Sequence, residues 1–314
     1  MLRFVLQRFL ALIPLLLLVS LLVFSMVLLI PGDPAYLLAG EDATPEEVEA
    51  IREAMGLNEP VLVRYAHWLG GLLQGDLGTS LFSDQPVLDV ILERLPVTLS
   101  LAVTAIVIAL AISIPAGIIA GTRAGSLPDR LVTLGASVGL AVPNFWLGLM
   151  LVLLLAIRHP WFPATGYVPL SVSPLGWWSH IALPAVTLGL AAAAILARQL
   201  RGAMMDVMQH DYVRTAQAKG LPRRKVVAKH ALKNAAIPMV TILGVQANSL
   251  LGGTIIVEQI FGMPGIGQLA VASVFTRDLP MIQGVVIMAV VVAVAVNLVV
   301  DLSYGYFNPK VRPR

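Results

Sequence analysis

The stretch LPVTLSLAVTAIVIALAISIPAGIIAGT, residues 95–122, contains no Asp, Glu, Lys or Arg. A helix crosses the roughly 30 Å apolar core of a bilayer with about 20 residues, so this stretch is long enough to span a membrane. Four more windows are equally free of charge, and they are residues 9–30, 131–157, 234–257 and 279–300. Hydrophobic residues make up 58% of the chain and charged residues 12%, which is typical of a protein whose main solvent is lipid.

A sixth window, residues 159–197, also lacks charged residues, but its Pro residues concentrate in the first half. Because Pro interrupts helices, we place the span in the later part, at about residues 181–200. The sequence therefore predicts an all-α polytopic membrane protein with six transmembrane helices. The predicted segments are a stub with the first span at 1–30, an external insert at 31–93, a core at 94–304 and a tail at 305–314. Within the core the spans fall at 95–121, 131–157, 181–200, 236–257 and 280–301, with a loop at 201–235.

The distribution of basic residues orients these spans. Lys and Arg are retained on the cytoplasmic side because moving them across the membrane is unfavourable. With six spans, 16 of the 21 Lys and Arg residues lie on one side, nine of them from Arg198, at the end of the fourth span, to Lys233. Residues 31–95, on the other side, hold 12 of the 18 acidic residues. Both termini are therefore predicted to be cytoplasmic.

The acidic insert carries signals for two short amphipathic helices. Thr44, Pro45 and Glu47 form a capping box with Pro at the first helical position, and Gly56 fits a left-handed helix end. Apolar residues recur at helical spacing as Val48, Ile51 and Met55 in the first helix and as Val61, Tyr65, Trp68 and Leu72 in the second. These helices either pack on the spans or lie at the lipid interface, or they form a docking surface for an external solute-delivering protein.

Residues 211–234 read DYVRTAQAKGLPRRKVVAKHALKN and connect the fourth and fifth spans. Asp211 suits a helix N-terminus, Gly220 a left-handed helix end, and Pro222 the start of a new helix. The pattern predicts a compact helix–turn–helix, which we call the elbow (residues 211–233). Its charge alone suits an ordinary cytoplasmic loop or a patch for anionic lipid equally well. Positive charge alone is enough to keep a loop in the cytoplasm, and a capped turn is not needed for this. A stiff protruding helix, by contrast, can transmit force to a partner.

At these residues the chain resembles the permease subunits of ATP-binding-cassette (ABC) importers, whose cytoplasmic loop carries a Glu-Ala-Ala, three residues, Gly signature and inserts into a cleft of the ATPase. Arg214, Thr215, Ala216 and Gly220 stand at the signature positions, so Arg replaces the family's Glu. The later Ile-x-Leu-Pro element falls on residues 230–233, where Lys replaces Pro. The resemblance implies that the elbow couples to the ATPase through Arg214, Thr215, Ala216, Ala218, Lys219, Gly220, Leu221 and His230.

The resemblance narrows to the oligopeptide, dipeptide and nickel branch of the type I, binding-protein-dependent importers, as the first permease of a heteromeric pair. It rests on motifs spread along the chain, which are Pro31-Gly-Asp-Pro34, Gly75-Asp-Leu-Gly-Thr-Ser80, Thr165-Gly-Tyr167, Val257-Glu-Gln-Ile-Phe-Gly-Met-Pro-Gly-Ile-Gly267 and Asn308-Pro-Lys310. It implies a path for small peptides, a nickel chelate or glutathione in a prokaryotic inner membrane. The implied partners are a second homologous permease, two ABC ATPases that bind ATP and Mg²⁺, and an external binding protein, with no nucleic acid and no cofactor in this chain.

Polar residues in otherwise apolar spans are the candidate lining of the translocation path. Gln246 and Asn248 interrupt the fifth span, while Pro143 and Asn144 predict an unwound turn in the third. The alternative for the polar pair is hydrogen bonding between helices. After the fifth span, the resemblance implies a stiff loop that contacts the binding protein through Phe261, Met263, Pro264 and Gly265, and the alternative there is a plain surface turn.

Other kinds of chemistry find little support. No Gly-Lys-Ser or Gly-Lys-Thr occurs, so the chain is not expected to be an ATPase or another enzyme. Residues 135–139 match the Gly-x-Ser-x-Gly of serine hydrolases, but inside an apolar helix this spacing, like that of Gly117 and Gly121, predicts close helix packing. The five His residues share no ligand spacing, so no metal site is predicted.

The main alternative function is that of a secondary transporter driven by an ion gradient. Such transporters usually carry ionisable residues within their spans and show internal repeats. No Asp, Glu, Lys or Arg lies deep in any predicted span, which disfavours this alternative.

Overall fold

A computed structural model describes residues 2–29, 34–40, 43–54 and 56–307. These residues form helices and no β-strand, with a single bridge between Thr79 and Pro86, so the all-α prediction is confirmed. Residues 31–33 of the first motif, Met55 of the first amphipathic helix and the tail motif at 308–310 lie outside the described residues.

Thirteen α-helices are present in the described part of the chain, together with two π-helical turns. In order they are α1 (Leu2–Leu29), α2 (Pro34–Ala39), α3 (Pro45–Ala54), α4 (Val61–Leu73), α5 (Val87–Thr122), α6 (Leu127–Ala141), α7 (Asn144–Val152), α8 (Pro174–Met208), α9 (Asp211–Ala218), α10 (Arg223–Lys225), α11 (Leu232–Ile260), α12 (Ile266–Thr276) and α13 (Leu279–Phe307). The π-helical turns are Leu153–Arg158 after α7 and Val226–Ala231 before α11.

Several of these helices are long and apolar enough to cross a membrane. Four qualify singly, and they are Val87–Thr122, Pro174–Met208, Arg223–Ile260 and Leu279–Val300. The pair formed by α6 and α7 is a fifth candidate, and in α1 the described apolar stretch, Ile13–Met26, is shorter. The prediction of a polytopic helical membrane protein is confirmed, while the count of six spans and the cytoplasmic termini stay predictions.

The helices run beyond the spans predicted from charge-free windows. Helix α8 begins at Pro174, well before residue 181, because Ser173 caps it and accepts a hydrogen bond from the Gly176 N–H over 3.1 Å. The third predicted span is divided, since α6 and α7 meet at 95°. Val142 and Pro143 at the break have extended backbone angles, which confirms an unwound turn at this point.

The structure divides into two compact units, one of residues 1–93 with 269–291 and the other of residues 94–268 with 292–314. The second unit begins where the predicted core begins, but residues 269–291, which the sequence assigned to the core, belong to the first unit.

In the first unit the predicted amphipathic helices form. Thr44 and Glu47 make the reciprocal capping box, with 2.8 Å from the Thr44 N–H to Glu47 Oε2, and these bonds hold the pKa of the Glu47 carboxyl below its ordinary value. Tyr65 on α4 is hydrogen-bonded to Ser20 of α1 over 2.8 Å, and Phe24 packs edge-on against its ring. One face of α4 therefore packs on α1, the helix of the first predicted span.

In the second unit α8 is the central helix, and most of its apolar stretch is buried. Its buried residues join those of α5 and α11 in one hydrophobic core. Gly117 and Gly121 of α5 lie directly against Leu200 and Met204 of α8, where a Cβ atom would clash, so close packing through this small-residue pair is confirmed. Ser137 lies within α6, with no strand before it, and donates to the Thr133 carbonyl over 2.9 Å, which is not the geometry of a hydrolase nucleophile.

Candidate functional site

The elbow has the predicted form of a helix, a tight turn and a second helix. Helix α9 ends at Ala218, and Gly220 follows with φ of +77°. The Gly220 N–H donates to Gln217 O over 2.9 Å and the Leu221 N–H to Ala216 O over 3.3 Å, which are the two bonds of a Schellman cap. Pro222 then precedes the start of α10, where its lack of an N–H has no consequence.

A small hydrophobic cluster of its own holds the elbow together. Val213 and Ala216 of α9 and Val226 of the π-helical turn are buried, and Leu221 packs against them. This contact is the hydrophobic partner that usually accompanies a Schellman cap. The elbow is therefore a folded unit, with both helices fixed to each other across the turn.

The exposed surface of the elbow is basic. Its exposed cationic side chains are Arg214, Lys219, Arg223, Arg224, Lys225, Lys229 and Lys233. Of the candidate coupling residues, Thr215, Ala218 and Gly220 are also exposed, while Leu221 and His230 are half-buried. Ala216 is buried within the elbow, so its place in the signature serves the packing of α9 and presents no surface to a partner.

One polar contact connects the elbow to α5, and a second joins α6 to α8, the helix that precedes the elbow. The Arg223 guanidinium donates to the Thr122 carbonyl at the end of α5 over 2.8 Å. Asp129 at the start of α6 is buried and accepts two hydrogen bonds from Arg201 of α8, one of them over 2.9 Å, and a third from the Gly125 N–H. The sequence analysis did not find the Asp129–Arg201 pair, because the two residues are 72 positions apart and each looked like an ordinary positive-inside or helix-start residue.

The candidate path residues lie on different helices and do not form one cluster. Asn248 on α11 donates to Asn297 of α13 over 2.8 Å and to the Gly244 carbonyl over 3.1 Å, so hydrogen bonding between helices accounts for this side chain. Its Oδ1 atom is buried and has no partner within the described chain. Gln246 is half-buried, and at the α6–α7 break Pro143 is exposed and Asn144 half-buried. A role of these four residues in the path stays a prediction.

The side chains of the loop after α11 are largely buried within the chain, and contact of this loop with a binding protein stays a prediction. Phe261 and Met263 are 2% and 0% exposed and belong to the hydrophobic core, and Gly265 is buried. Apolar side chains of this size are stable inside and leave no side-chain surface for an external protein. Pro264 is half-buried, and it alone of the four residues keeps a partly accessible side chain.

The same loop closes over Glu258, a residue that the sequence analysis placed just outside the fifth span. Its side chain is fully buried within α11, accepts a hydrogen bond from the Thr98 hydroxyl over 2.6 Å and another from the Gln268 N–H over 3.0 Å. The Gly267 N–H also donates to it, and the Thr98 oxygen accepts from the Ile266 N–H over 2.8 Å. A carboxylate is thus held at the N-terminus of α12, where the helix dipole favours negative charge.

Glu258 is buried inside the protein, but it lies only two residues before the end of α11 and not deep in the span. Ionisable groups within spans usually take part in ion-coupled transport. The oxygens of Glu258, however, are bonded to fixed donors of α5 and α12, so this carboxyl group has the environment of a structural residue. No cluster of three or more potential metal ligands occurs among the described residues.

Comparison with known proteins decides the family. Residues 113–313 match the family described as binding-protein-dependent transport system inner membrane component, and residues 1–102 match the N-terminal region of such components. The chain belongs to this family. It is a multi-pass inner membrane permease subunit of a binding-protein-dependent ABC importer.

Relatives of this permease cover its whole length. A protein of Brucella abortus (strain 2308) that is named as a permease of a peptide transport system is 43% identical over 98% of both chains. The glutathione transport system permease protein GsiC of Escherichia coli (strain K12) is 42% identical over 99% of both chains. Among solved structures, the inward-facing MetNI methionine ABC transporter matches with a TM-score of 0.57 and 16% identity, over 70% of this chain and 96% of that chain, and this likeness shows the fold alone.

Proposed function

We propose that this permease forms the membrane path for small peptides or a closely related solute such as glutathione or a nickel chelate. The support is the names of full-length relatives at 42–43% identity, one assigned to a peptide transport system and others to glutathione transport. The solute is tested by uptake of a radiolabelled dipeptide into proteoliposomes that contain the complete complex and its binding protein. Competition by unlabelled tripeptides, glutathione and chelated nickel ranks the solutes, and failure of every peptide to compete contradicts the proposal.

The proposed assembly contains a second homologous permease, two ABC ATPase subunits that bind ATP and Mg²⁺, and an external binding protein. This chain has no phosphate-binding Gly-Lys-Ser or Gly-Lys-Thr sequence, which supports a subunit that takes its energy from other chains. Closure of the ATPases on ATP pushes the elbow, the helices move as rigid bodies and the path changes the side to which it opens. Hydrolysis of ATP then resets the path.

The observation that carries the coupling proposal is the rigid elbow with a basic surface. A capped turn and a buried cluster fix the angle between α9 and the following helix, so a force on α9 reaches α11 without loss in a flexible loop. Exposed cationic side chains around that turn provide electrostatic attraction for an acidic cleft, which favours docking of a partner over a free loop.

Gly220→Val tests the coupling proposal. Gly220 has positive φ with open space around it, so the substitution strains the backbone of the turn without creating a clash. We expect solute imported per ATP hydrolysed, measured in proteoliposomes, to fall roughly tenfold, which corresponds to about 1–2 kcal/mol of backbone strain. Gly75→Val is the matched control, because Gly75 also has positive φ and open space but lies in the external insert. An assembled Gly220→Val complex with native coupling would contradict the proposal.

A further inference from the structure

We propose that Glu258 is a positioning residue that pins one end of α11, so that a push on the elbow tilts this helix about Glu258 instead of sliding it along its axis. The proposal rests on the proposed function of the elbow, since tilting presupposes an ATPase that drives it. It goes beyond that function by assigning the fixed point of the motion to one buried carboxylate.

The contacts of Glu258 bring together three separate elements. Thr98 belongs to α5, Glu258 to α11 and Gln268 to the first turn of α12. The Thr98 hydroxyl donates to the Glu258 side chain, and the same hydroxyl oxygen accepts a hydrogen bond from the Ile266 N–H. The Thr98 side chain is therefore hydrogen-bonded to both α11 and α12. Sliding of α11 along its axis would break all of these bonds at once and leave several buried polar groups without partners, which is unfavourable.

The packing around the carboxylate leaves no room for displacement. A Cβ atom added to Gly267 would lie 2.6 Å from the Cα of Ile255, and one added to Gly265 would overlap the Glu258 carboxyl group. Two glycines therefore let the backbone of the α11–α12 loop close directly over the side chain. A rotation of α11 about this point disturbs few contacts, whereas a translation disturbs all of them.

The elbow lies at the opposite end of the same helix. Helix α11 is continuous from Leu232 to Ile260, and the part between Leu232 and Glu258 is about 39 Å long at 1.5 Å per residue. Displacement about a fixed end grows in proportion to distance from it. Val245, at about 20 Å from Glu258, should move about half as far as the elbow end. The candidate path residues Gln246 and Asn248 lie near this midpoint.

Spin-label distances test the fixed point directly, because this chain contains no Cys and contributes no label beyond the two that are introduced. The reference label replaces Val103, an exposed residue of α5, the helix that also carries Thr98. The second label replaces Lys233, Val245 or Gln259, which are exposed along α11. Distances are measured in the complete complex with its ATPases, without nucleotide and with ATP under conditions that prevent hydrolysis.

We expect the nucleotide-dependent change in distance to be largest for Lys233→Cys, about half as large for Val245→Cys and close to zero for Gln259→Cys. Equal changes at the three positions overturn the pin and leave the proposed function of the elbow intact. No change at any position in a transport-active complex overturns both proposals. The two failures are therefore distinguishable.

Variants of the Glu258 contacts provide the second arm. Glu258→Gln keeps the size of the side chain but places an amide N–H₂ against backbone N–H donors, so we expect the Gln259→Cys distance to become nucleotide-dependent. Solute imported per ATP should fall roughly tenfold, as for loss of a hydrogen bond to a charged group. Thr98→Val, which removes only the hydroxyl, should act in the same direction, and Thr98→Ser should restore native values.

The control is Glu93→Gln, which neutralises an exposed carboxylate on α5. It should leave the distances and the coupling ratio at native values. An assembled Glu258→Gln complex with the native gradient of distance changes overturns the proposal. If Glu258→Gln does not assemble, Thr98→Val decides the matter, and a native gradient in that variant overturns the proposal.

Discussion

Helix α11 begins at Leu232 beside the elbow and ends two residues after Glu258, and polar groups are treated differently at its two ends. At the elbow end, the hydrogen bond from Asn234 to Tyr212 is exposed. At the other end, Thr98 and Glu258 are buried and bond inside the protein. A hydrogen bond exchanged with water adds little net stability, whereas a buried group left without a partner costs about 1–3 kcal/mol. The elbow end can exchange its contacts for those of a partner, while the Glu258 end resists any change.

The largest effect is expected from Gly267→Ala at the Glu258 end. The new Cβ atom would meet the backbone of Ile255 and the Glu258 carboxylate, neither of which can move aside, so we expect a loss of about 1–3 kcal/mol. The thermal midpoint of the detergent-purified complex measures this loss. Gly252→Ala is the matched control within α11, because its site is open, and its midpoint should stay the same or rise. A native midpoint for Gly267→Ala would show that the packing over Glu258 is loose.

An intermediate effect is expected from Val226→Ala in the elbow cluster. The substitution removes the equivalent of two buried methylene groups from a cluster of three buried residues, so we expect it to loosen the elbow by about 1–2 kcal/mol. Trypsin cleavage in the basic segment at residues 223–225 should accelerate roughly tenfold, since that opening is local. Val245→Ala, an exposed position on α11, is the control. Unchanged cleavage of Val226→Ala would mean that the cap alone fixes the elbow.

The smallest effect is expected from Tyr212→Phe, which removes the hydroxyl that accepts from Asn234. Because Tyr212 is 41% exposed, water replaces the lost partner and the change should stay below about 1 kcal/mol. Thermal midpoint and trypsin cleavage should both remain close to native. A Tyr212→Phe effect as large as that of Thr98→Val would remove the distinction between the two ends of α11.

The sequence alone predicted the parts of the fold that local chemistry determines. Charge-free windows located the long helices, the Thr44–Glu47 pair predicted the start of α3, and Gly220 predicted the end of α9. Each of these features depends on residues within a few positions of each other, where capping and backbone preference decide. The form of the elbow was therefore predictable, although its buried cluster was not specified.

The features that the sequence did not reveal depend on contacts between distant segments. Glu258 looked like the polar boundary of a span, and only Thr98, 160 positions earlier, and the first turn of α12 make it a buried, hydrogen-bonded group. Long separation along the chain likewise concealed Arg201 as the partner of Asp129 and Asn297 as the partner of Asn248. A signal was nevertheless present for Glu258, since Gly265 and Gly267 lie within nine residues of it and mark a close approach of backbone.

The Schellman cap of the elbow determines what kind of inhibitor could copy its surface. The cap is closed by amides of the elbow itself, so the shape available to the proposed ATPase partner exists before any encounter and binding would cost little conformational entropy. A linear peptide of the same residues would have to order its chain and adopt positive φ at Gly220 in the act of binding. An inhibitor that copies the surface should therefore be a ring closed across the turn, with a D-residue at the Gly220 position to hold the left-handed conformation.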